Sequence, residues 1–196
     1  MKIKKMQLYE VIYDDSLWLI NLVENLLSVT RIEDGKMNLH LETELIEEVI
    51  NEALNHISHK KDEHRIEVKA NDEFILAKID AGLIIQVIIN IVDNAIKYTP
   101  KGSMISIETF KHKDFVEIQI ADDGAGISDK DKEKLFEMFY TVKHEVIDGR
   151  RGLGLGLALC KAIIVAHGGN IAVKDNIPHG TIFSFTLPIK EVEIHE

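Results

Sequence analysis

Two spacings of apolar residues alternate along this chain, and together they predict helices and strands in one mixed fold. The first is a seven-residue repeat near the N-terminus, which predicts one long helix over residues 7–34 that ends at Asp34-Gly35. The apolar positions of this repeat are Ile12, Leu19, Leu22, Leu26 and Val29. A seam of this kind needs a partner, so we expect the helix either to self-associate or to pair with a helix upstream of Met1.

After Gly35, apolar residues at alternate positions predict seven strands. These are Lys36–Leu41, Ile66–Ala70, Phe74–Ile79, Met104–Thr109, Val116–Ala121, Ile171–Lys174 and Thr181–Leu187. Short polar connections favour hairpins, as at Asn71-Asp72-Glu73 between the second and third strands.

Helical spacing predicts three longer helices between these strands, with Thr43 as a candidate N-cap and Pro100 as a stop. They are Thr43–His56, Ala81–Pro100 and Leu155–His167. A short helix follows the capping residue Ser128, and residues 140–151 are predicted to form a mobile loop. The order of elements implies an α+β fold. It is a two-layer α/β sandwich, in which three helices cover one face of a mixed, mostly antiparallel sheet.

Composition narrows the classes of function. With 45% hydrophobic and 29% charged residues among 196, the chain is globular and has no unbroken apolar run of membrane-spanning length. The formal charge of −10 argues against a nucleic-acid-binding surface, so no nucleic acid is an expected partner. The single cysteine, Cys160, excludes a disulfide framework and is typical of a reducing compartment.

The stretch Gln86–Pro100 places its polar residues on one narrow stripe of a helix whose other faces are aliphatic. The stripe consists of Gln86, Asn90, Asp93, Asn94 and Lys97. Two asparagines four residues apart present amide oxygens to one point, which suits a hard cation such as Mg²⁺ that keeps some of its waters. A lysine one turn further on suits the phosphates that such a metal accompanies. A solvated helix face is the alternative interpretation of the same pattern.

Two glycine-rich segments are the other candidates for ligand binding. Asp122–Ile127 (DDGAGI) follows a predicted strand, so its first carboxylate can accept a hydrogen bond from an exocyclic amine such as N6 of adenine. A plain two-glycine turn is the alternative there. Gly152–Leu157 (GLGLGL) precedes a predicted helix, whose free amides can meet phosphate. It is neither a Rossmann fingerprint, because no strand precedes it, nor a P-loop, because the GK[ST] ending is absent.

Five segments, taken in order, resemble the N, G1, F, G2 and G3 boxes of sensor histidine kinases. They are Asn90–Pro100, Asp122–Ile127, Leu135–Phe139, Gly152–Leu157 and Gly180-Thr181. The resemblance implies that residues 36–190 form a catalytic ATP-binding domain with the Bergerat-type fold of the histidine kinase, gyrase and Hsp90 superfamily. A tail at 191–196 would follow it.

The resemblance extends to the N-terminal segment. Residues 1–35 would hold the second helix of a truncated dimerisation and phosphotransfer hairpin. The sequences LVENLLSVTR and GLGLALCKAI are similar to the potassium-sensing KdpD subfamily.

The resemblance also implies a role for individual residues. Asn94 would be the main Mg²⁺ ligand, Asn90 would assist it or orient a water, and Lys97 would contact phosphate. Arg150 or Arg151 would reach the γ-phosphate. The implied catalytic residues are therefore Asn90, Lys97, Arg150 and Arg151.

The implied nucleotide site is larger. Asp122 would bind the adenine amino group, Gly126 would give the base room, and Thr181 would contribute its hydroxyl. Phe136 and Phe139 would pack at the base of a lid. The full implied set is Asn90, Asn94, Lys97, Tyr98, Asp122, Gly124, Gly126, Ile127, Phe136, Phe139, Gly152, Leu153, Gly154, Leu155, Gly156, Leu157 and Thr181.

On this interpretation the chain binds ATP and Mg²⁺. In the intact protein it would pass the γ-phosphate to a histidine upstream of Met1, and from there to an aspartate of a response regulator receiver domain. The implied partners are ATP, the protein's own upstream phosphoacceptor helix, a response regulator and a second copy in a homodimer. The segment would lie in the cytoplasm, whether or not the intact protein has a membrane anchor. A non-catalytic nucleotide-sensing module, and a related ATPase or anti-sigma serine kinase, are the alternatives.

The sequence departs from the family pattern in three respects. Asp123 stands where the family often has Asn, and Leu153 stands where it usually has a small or polar residue. None of the nine histidines has the acidic residue and proline that follow the family's phosphoacceptor, so all nine are predicted to be structural or surface residues. His167 suits a helix C-terminus, where a positive charge is favourable.

Overall fold

The computed structural model describes residues 39–57, 64–69, 74–142 and 154–189, together with Tyr9, Ser16, Ile20 and Val23. Those four residues are helical and exposed. The rest of the predicted helix over 7–34 lies outside the described residues. So do the boundary at residue 35, the predicted turn at Asn71-Asp72-Glu73, most of the predicted loop at 140–151, and the tail at 191–196.

Seven strands and four helices make up the described fold. The strands are β1 (Glu42–Leu45), β2 (Arg65–Lys69), β3 (Leu76–Ile79), β4 (Met104–Lys111), β5 (Phe115–Asp122), β6 (Ile171–Asp175) and β7 (Thr181–Pro188). The helices are α1 (Ile46–His56), α2 (Ala81–Tyr98), α3 (Asp129–Lys132) and α4 (Gly156–Ala166). The main sheet has the order β2-β4-β5-β7-β6, parallel only between β2 and β4, and β1 and β3 form a separate antiparallel pair. This confirms the predicted mixed, mostly antiparallel α+β fold.

One hydrophobic core joins the sheets to the helices, because strands β3, β4, β5 and β7 turn alternate residues inward. In β5 the buried residues are Val116, Ile118 and Ile120, and Ile118 lies opposite Phe185 of β7. Helix α2 contributes the largest set of helical core residues, which are Ile84, Val87, Ile88, Ile91, Val92, Ala95 and Ile96. By length and composition alone α2 would be apolar enough to cross a membrane, but most of its aliphatic side chains are buried in this core.

The described part of the first predicted strand, residues 39–41, is not a strand, and the cap assigned to Thr43 is wrong. Leu41 lies outside any strand, and Thr43 lies within β1, opposite Lys78 of β3. Helix α1 therefore begins later than predicted, at Ile46, without a side-chain cap. The Ile46 N–H donates to the Ile75 carbonyl at 3.0 Å, so the neighbouring strand satisfies one of the amides that a capping side chain would have taken.

The predicted hairpin between the second and third strands is also wrong. β2 pairs in parallel with β4 of the main sheet, whereas β3 pairs with β1. A parallel pair needs a long crossover, and here β3 and α2 supply it.

His167 does not act as a charged residue at a helix end, as the sequence suggested. It is buried at the C-terminus of α4, where its Nδ1–H donates to the Ile163 carbonyl at 2.8 Å. Its Nε2 accepts a hydrogen bond from the Asp80 N–H at 3.1 Å. Only the neutral imidazole can make both bonds, since a protonated ring has no acceptor nitrogen.

Candidate functional site

The polar stripe of α2 lies between the two glycine-rich segments. A Cβ on Gly124, in the first segment, would lie 2.8 Å from Thr99 Cγ2, just after the end of α2. A Cβ on Gly156, where α4 begins, would lie 3.4 Å from Asn90 Oδ1. Asn90 and Thr99 are about 13 Å apart along the helix axis. Asn94 and Lys97 lie between them along the helix, so the residues predicted to contact the metal and the phosphates lie in the stretch of α2 that the two glycine-rich segments bound.

Asp122 is the buried acidic group of this site. It ends β5, and its Oδ1 accepts hydrogen bonds from the backbone N–H of Gly124 at 2.8 Å and of Thr181 at 3.2 Å. Among the described residues no hydrogen bond reaches its Oδ2. The two amides therefore fix the plane of the carboxylate and leave one oxygen to accept a bond from a ligand.

The protonation of Asp122 is set by opposing influences. Burial raises the pKa of its carboxyl above the ordinary value and is the largest cause. The bonds from Gly124 and Thr181 lower the pKa, and the neighbouring charge of Asp123 raises it again. A carboxylate held in this way is a good hydrogen-bond acceptor, but it takes up a proton more readily than an exposed aspartate does.

Three glycines of the site have structural reasons to lack a side chain. Gly126 has φ +77°, and a Cβ there would lie 3.3 Å from the Gly180 carbonyl oxygen. Gly154 has φ +69°, and its Cβ would lie 2.4 Å from the Tyr140 carbonyl oxygen. Gly180 has φ +116°, and a Cβ there would lie only 1.9 Å from the Asp122 carbonyl oxygen. Close approach of backbone to backbone therefore accounts for these glycines.

Asn90 and Lys97 are the stripe residues predicted to meet the metal and the phosphates, and they lie about 10 Å apart along the axis of α2. The Asn90 Nδ2 is buried and makes no hydrogen bond within the part of the chain that the structure describes. The Lys97 Nζ lies 5.1 Å from the centre of the Tyr98 ring, within the range of a cation–π contact. Arg150, Arg151, Gly152 and Leu153 lie outside the described residues.

The remaining predicted contacts are mostly packing residues. Leu155 is buried, and Ile127 and Leu157 pack against the core. The Phe136 ring meets the Phe183 ring edge-on at 6.5 Å. Phe139 is 65% exposed, and its N–H donates to the Gly154 carbonyl at 3.0 Å. Most of the lid against which it is predicted to pack lies outside the described residues.

Sequence reasoning missed the residues that hold the site's loops together. The Asn176 side chain donates to the Asp122 carbonyl at 2.8 Å, and the His179 Nδ1–H donates to the Asp123 carbonyl at 2.9 Å. The Asp123 side chain accepts from the Met104 N–H at 3.0 Å, which gives this departure from the family pattern a structural role. The only local signal was an asparagine four residues before a glycine, which is typical of a turn.

Metal binding at this site would depend on neutral amides. In the described ranges no group of three or more His, Cys, Asp or Glu side chains is placed to hold a metal ion. Asn90 and Asn94, one turn apart on α2, offer amide oxygens, which are ligands that Mg²⁺ accepts. This donor set fits a magnesium ion that arrives with a nucleotide and shares its phosphate oxygens.

The sequence resembles known proteins across the site. Residues 79–191 match the family described as histidine kinase-, DNA gyrase B-, and HSP90-like ATPase. The chain is 43% identical, over 185 residues, to the sensor protein KdpD of Clostridium acetobutylicum. That alignment covers 94% of this chain but only 21% of the relative, so the chain spans about a fifth of that protein's length.

Solved structures agree with this similarity. The Acinetobacter baumannii histidine kinase AdeS superposes with a TM-score of 0.76 at 25% identity, covering 93% of this chain and 84% of that one. The histidine kinase ThkA, solved in complex with the response regulator protein TrrA, gives a TM-score of 0.69 at 26% identity. That comparison covers 88% of this chain and 49% of the other.

Proposed function

Because this chain belongs to the histidine kinase-, DNA gyrase B- and HSP90-like ATPase family, we propose that it is the part of a sensor histidine kinase that binds ATP with Mg²⁺ and donates the γ-phosphate. The acceptor would be a histidine upstream of Met1 in the intact protein. An aspartate of a response regulator would then receive the phosphate.

The observation that carries this proposal is the arrangement around Asp122. A buried carboxylate with a free oxygen lies at one end of the α2 stripe, and the start of α4 lies against Asn90 at the other. An acceptor for an amino group at one end and amide groups at the other match the two ends of an adenine nucleotide, and the Lys97 ammonium lies between them along α2.

The proposal gives Asp122, Lys97 and the start of α4 separate tasks. Asp122 accepts the adenine amino group and so sets the direction in which the nucleotide lies. Lys97 neutralises phosphate charge, and the amides at the start of α4 meet phosphate oxygens. Phosphoryl transfer depends chiefly on such positioning and charge neutralisation.

Asn94 and Asn90 would hold the magnesium ion through their amide oxygens. When bound, the ion would supply charge neutralisation at the phosphates. The two side chains lie one helical turn apart on α2, a rigid 18-residue helix, so they would orient the phosphates against Lys97.

The relay partner and the oligomeric state are further parts of the proposal. ThkA was solved in complex with the response regulator protein TrrA, and this supports a response regulator as the partner here. A homodimer in the intact protein is supported by the seven-residue apolar repeat over residues 7–34, which needs a partner helix.

Calorimetric titration with a non-hydrolysable ATP analogue, with and without Mg²⁺, tests the binding step. We expect binding that weakens in Asn94→Ala chiefly when Mg²⁺ is present. Asn170→Ala, an exposed asparagine far along the chain, is the matched control and should bind as the wild type does. No binding at millimolar nucleotide would refute the proposal.

Transfer in trans separates the kinase from the alternatives. With labelled ATP, the chain should phosphorylate a supplied helical hairpin that carries an acceptor histidine, and should not label itself stably. A nucleotide-sensing module would bind ATP without transfer. An ATPase would release phosphate, and a serine kinase would give an acid-stable product.

A further inference from the structure

The turn Asn176–Gly180, between β6 and β7, is fastened to the strand end that carries Asp122. Asn176 Nδ2 donates to the Asp122 carbonyl at 2.8 Å, and the His179 Nδ1–H donates to the Asp123 carbonyl at 2.9 Å. Directly after the turn, the Thr181 N–H donates to Asp122 Oδ1. We propose that Asn176 is a positioning residue that sets the preference of this site for adenine over guanine nucleotides, by holding the turn that orients the Asp122 carboxylate. The inference rests on the proposed function, in which Asp122 contacts the base.

Asn176 is suited to this task because its backbone N–H and its side-chain amide donate hydrogen bonds to different segments. Its backbone N–H donates to the Gly180 carbonyl at 3.0 Å and so closes the turn. Its side-chain amide reaches the Asp122 carbonyl and so fixes the closed turn to β5. Gly180 is in contact with the same carbonyl, where a Cβ would lie 1.9 Å from the oxygen. The turn therefore has little room to shift without breaking one of these contacts.

The orientation of the carboxylate decides which base the site accepts. With Oδ1 engaged by Gly124 and Thr181, Oδ2 can only accept a hydrogen bond, because the ionised group has no proton to give. Adenine offers an amino group at its sixth position, whereas guanine offers a carbonyl oxygen there. Guanine would place that oxygen against the carboxylate, and a site of this kind rejects such a ligand strongly.

Loss of the Asn176 amide would weaken this discrimination. The turn would no longer be held against Asp122, so the Thr181 N–H would leave the carboxylate. A carboxyl group with one fewer donor rotates more freely and takes up a proton more readily. A protonated carboxyl group can donate to the guanine carbonyl, and the preference for adenine then falls.

The test compares two identical substitutions in the full chain. Asn176→Asp keeps the shape of the side chain but removes the donor and sets a carboxylate against the Asp122 carbonyl. Asn170→Asp makes the same change just before the other end of β6, about 20 Å away along the strand. Calorimetry gives the dissociation constants of ATP and GTP, each with Mg²⁺, at pH 8 and pH 6. Circular dichroism checks that both variants are folded.

We expect the ratio of the GTP to the ATP dissociation constant to fall about ten-fold in Asn176→Asp and to stay unchanged in Asn170→Asp. The loss of ATP affinity between pH 8 and pH 6 should also be larger in Asn176→Asp. If Asn176 acted in folding alone, the substitution would weaken the binding of both nucleotides equally. It would then change neither the ratio of the dissociation constants nor the loss of ATP affinity between pH 8 and pH 6. If Asn176→Asp does not fold, Asn176→Ala decides by the same ratio.

Two other results would overturn the inference. A wild type that prefers ATP, with an Asn176 variant that keeps the same ratio, would refute the role of Asn176 and leave the proposed function intact. A wild type that binds neither nucleotide at millimolar concentration would refute the proposed function itself, and the inference with it.

Discussion

The His167 imidazole accepts a hydrogen bond from the backbone N–H of Asp80, 3.1 Å away, and so joins the C-terminus of α4 to the start of α2. Asp80 is itself the N-cap of α2, where its Oδ1 accepts from the Leu83 N–H and its Oδ2 from the His40 N–H. The helix that carries the candidate metal ligands is therefore tied at its first turn to the helix that begins at Gly156.

Replacing His167 should destabilise the fold. His167→Ala leaves the Asp80 N–H without its acceptor in a partly buried place, which costs about 1–3 kcal/mol of unfolding free energy. Urea denaturation followed by circular dichroism measures this. His56→Ala, at the exposed end of α1, is the control and should stay within about 0.5 kcal/mol of the wild type. Equal stability of the two variants would show that the His167 bond contributes nothing.

The sequence predicted those elements in which a local pattern reports burial directly. The alternation in β4, β5 and β7 was visible because one face of each strand packs in the core. β1 was missed because its four residues, Glu42–Leu45, have no apolar alternation and are held by pairing with β3. The parallel pairing of β2 with β4 was not visible either, since it joins segments that are separated by a whole helix.

The same distinction applies to the candidate site. Asn90, Asn94 and Asp122 could be proposed from the sequence because a helical stripe and a strand end are local features. Asn176 and His179 were not found, because their partners lie 54 and 56 residues away along the chain. His167 was misjudged for a similar reason, since its acceptor role depends on a backbone N–H that lies 87 residues upstream.

Replacing Asp122 should lower the affinity for ATP without lowering the free energy of unfolding. Asp122→Asn keeps an oxygen for the Gly124 and Thr181 amides but presents no charged acceptor to a ligand, so ATP affinity should fall at least ten-fold, about 1.4 kcal/mol. Unfolding free energy at neutral pH should not fall, because burial penalises the ionised carboxylate.

The sign of the pH effect follows from the raised pKa of Asp122. A carboxyl group whose pKa is higher in the folded state binds its proton more tightly there. Its cost to stability is therefore full above the raised pKa, shrinks as the pH falls below it, and is gone once the pH is below the ordinary pKa of the unfolded chain. Any stability advantage of Asp122→Asn should therefore shrink on acidification. Urea denaturation of the wild type and of Asp122→Asn, from neutral pH downwards, measures the difference in unfolding free energy. A stability advantage of Asp122→Asn that grows at low pH would contradict the raised pKa.

Two glycines in the left-handed region of backbone conformation allow a test of the contact between Gly154 and Tyr140 at the base of the predicted loop. Gly154 and Gly102 both have positive φ, but a Cβ at Gly154 would lie 2.4 Å from the Tyr140 carbonyl oxygen, whereas a Cβ at Gly102 meets nothing within 4 Å. Gly102→Ala should cost only the strain of the left-handed backbone, about 1 kcal/mol. Gly154→Ala should cost clearly more and should weaken nucleotide binding, because the start of α4 must shift. Equal losses of unfolding free energy would show that the Tyr140 contact yields without cost.

Cys160 should behave as a packing residue. Its thiol is fully buried and donates weakly to the Val87 carbonyl at 3.8 Å, and burial raises its pKa to about 12. Thiolate is the reactive form, so the native protein at pH 8 should not react with a thiol reagent such as a disulfide dye within an hour, whereas the urea-unfolded chain should react with one equivalent at once. Rapid modification of the folded protein would show that α4 separates from α2 under native conditions. The same assay on His167→Ala would then test whether the Asp80–His167 hydrogen bond limits that opening.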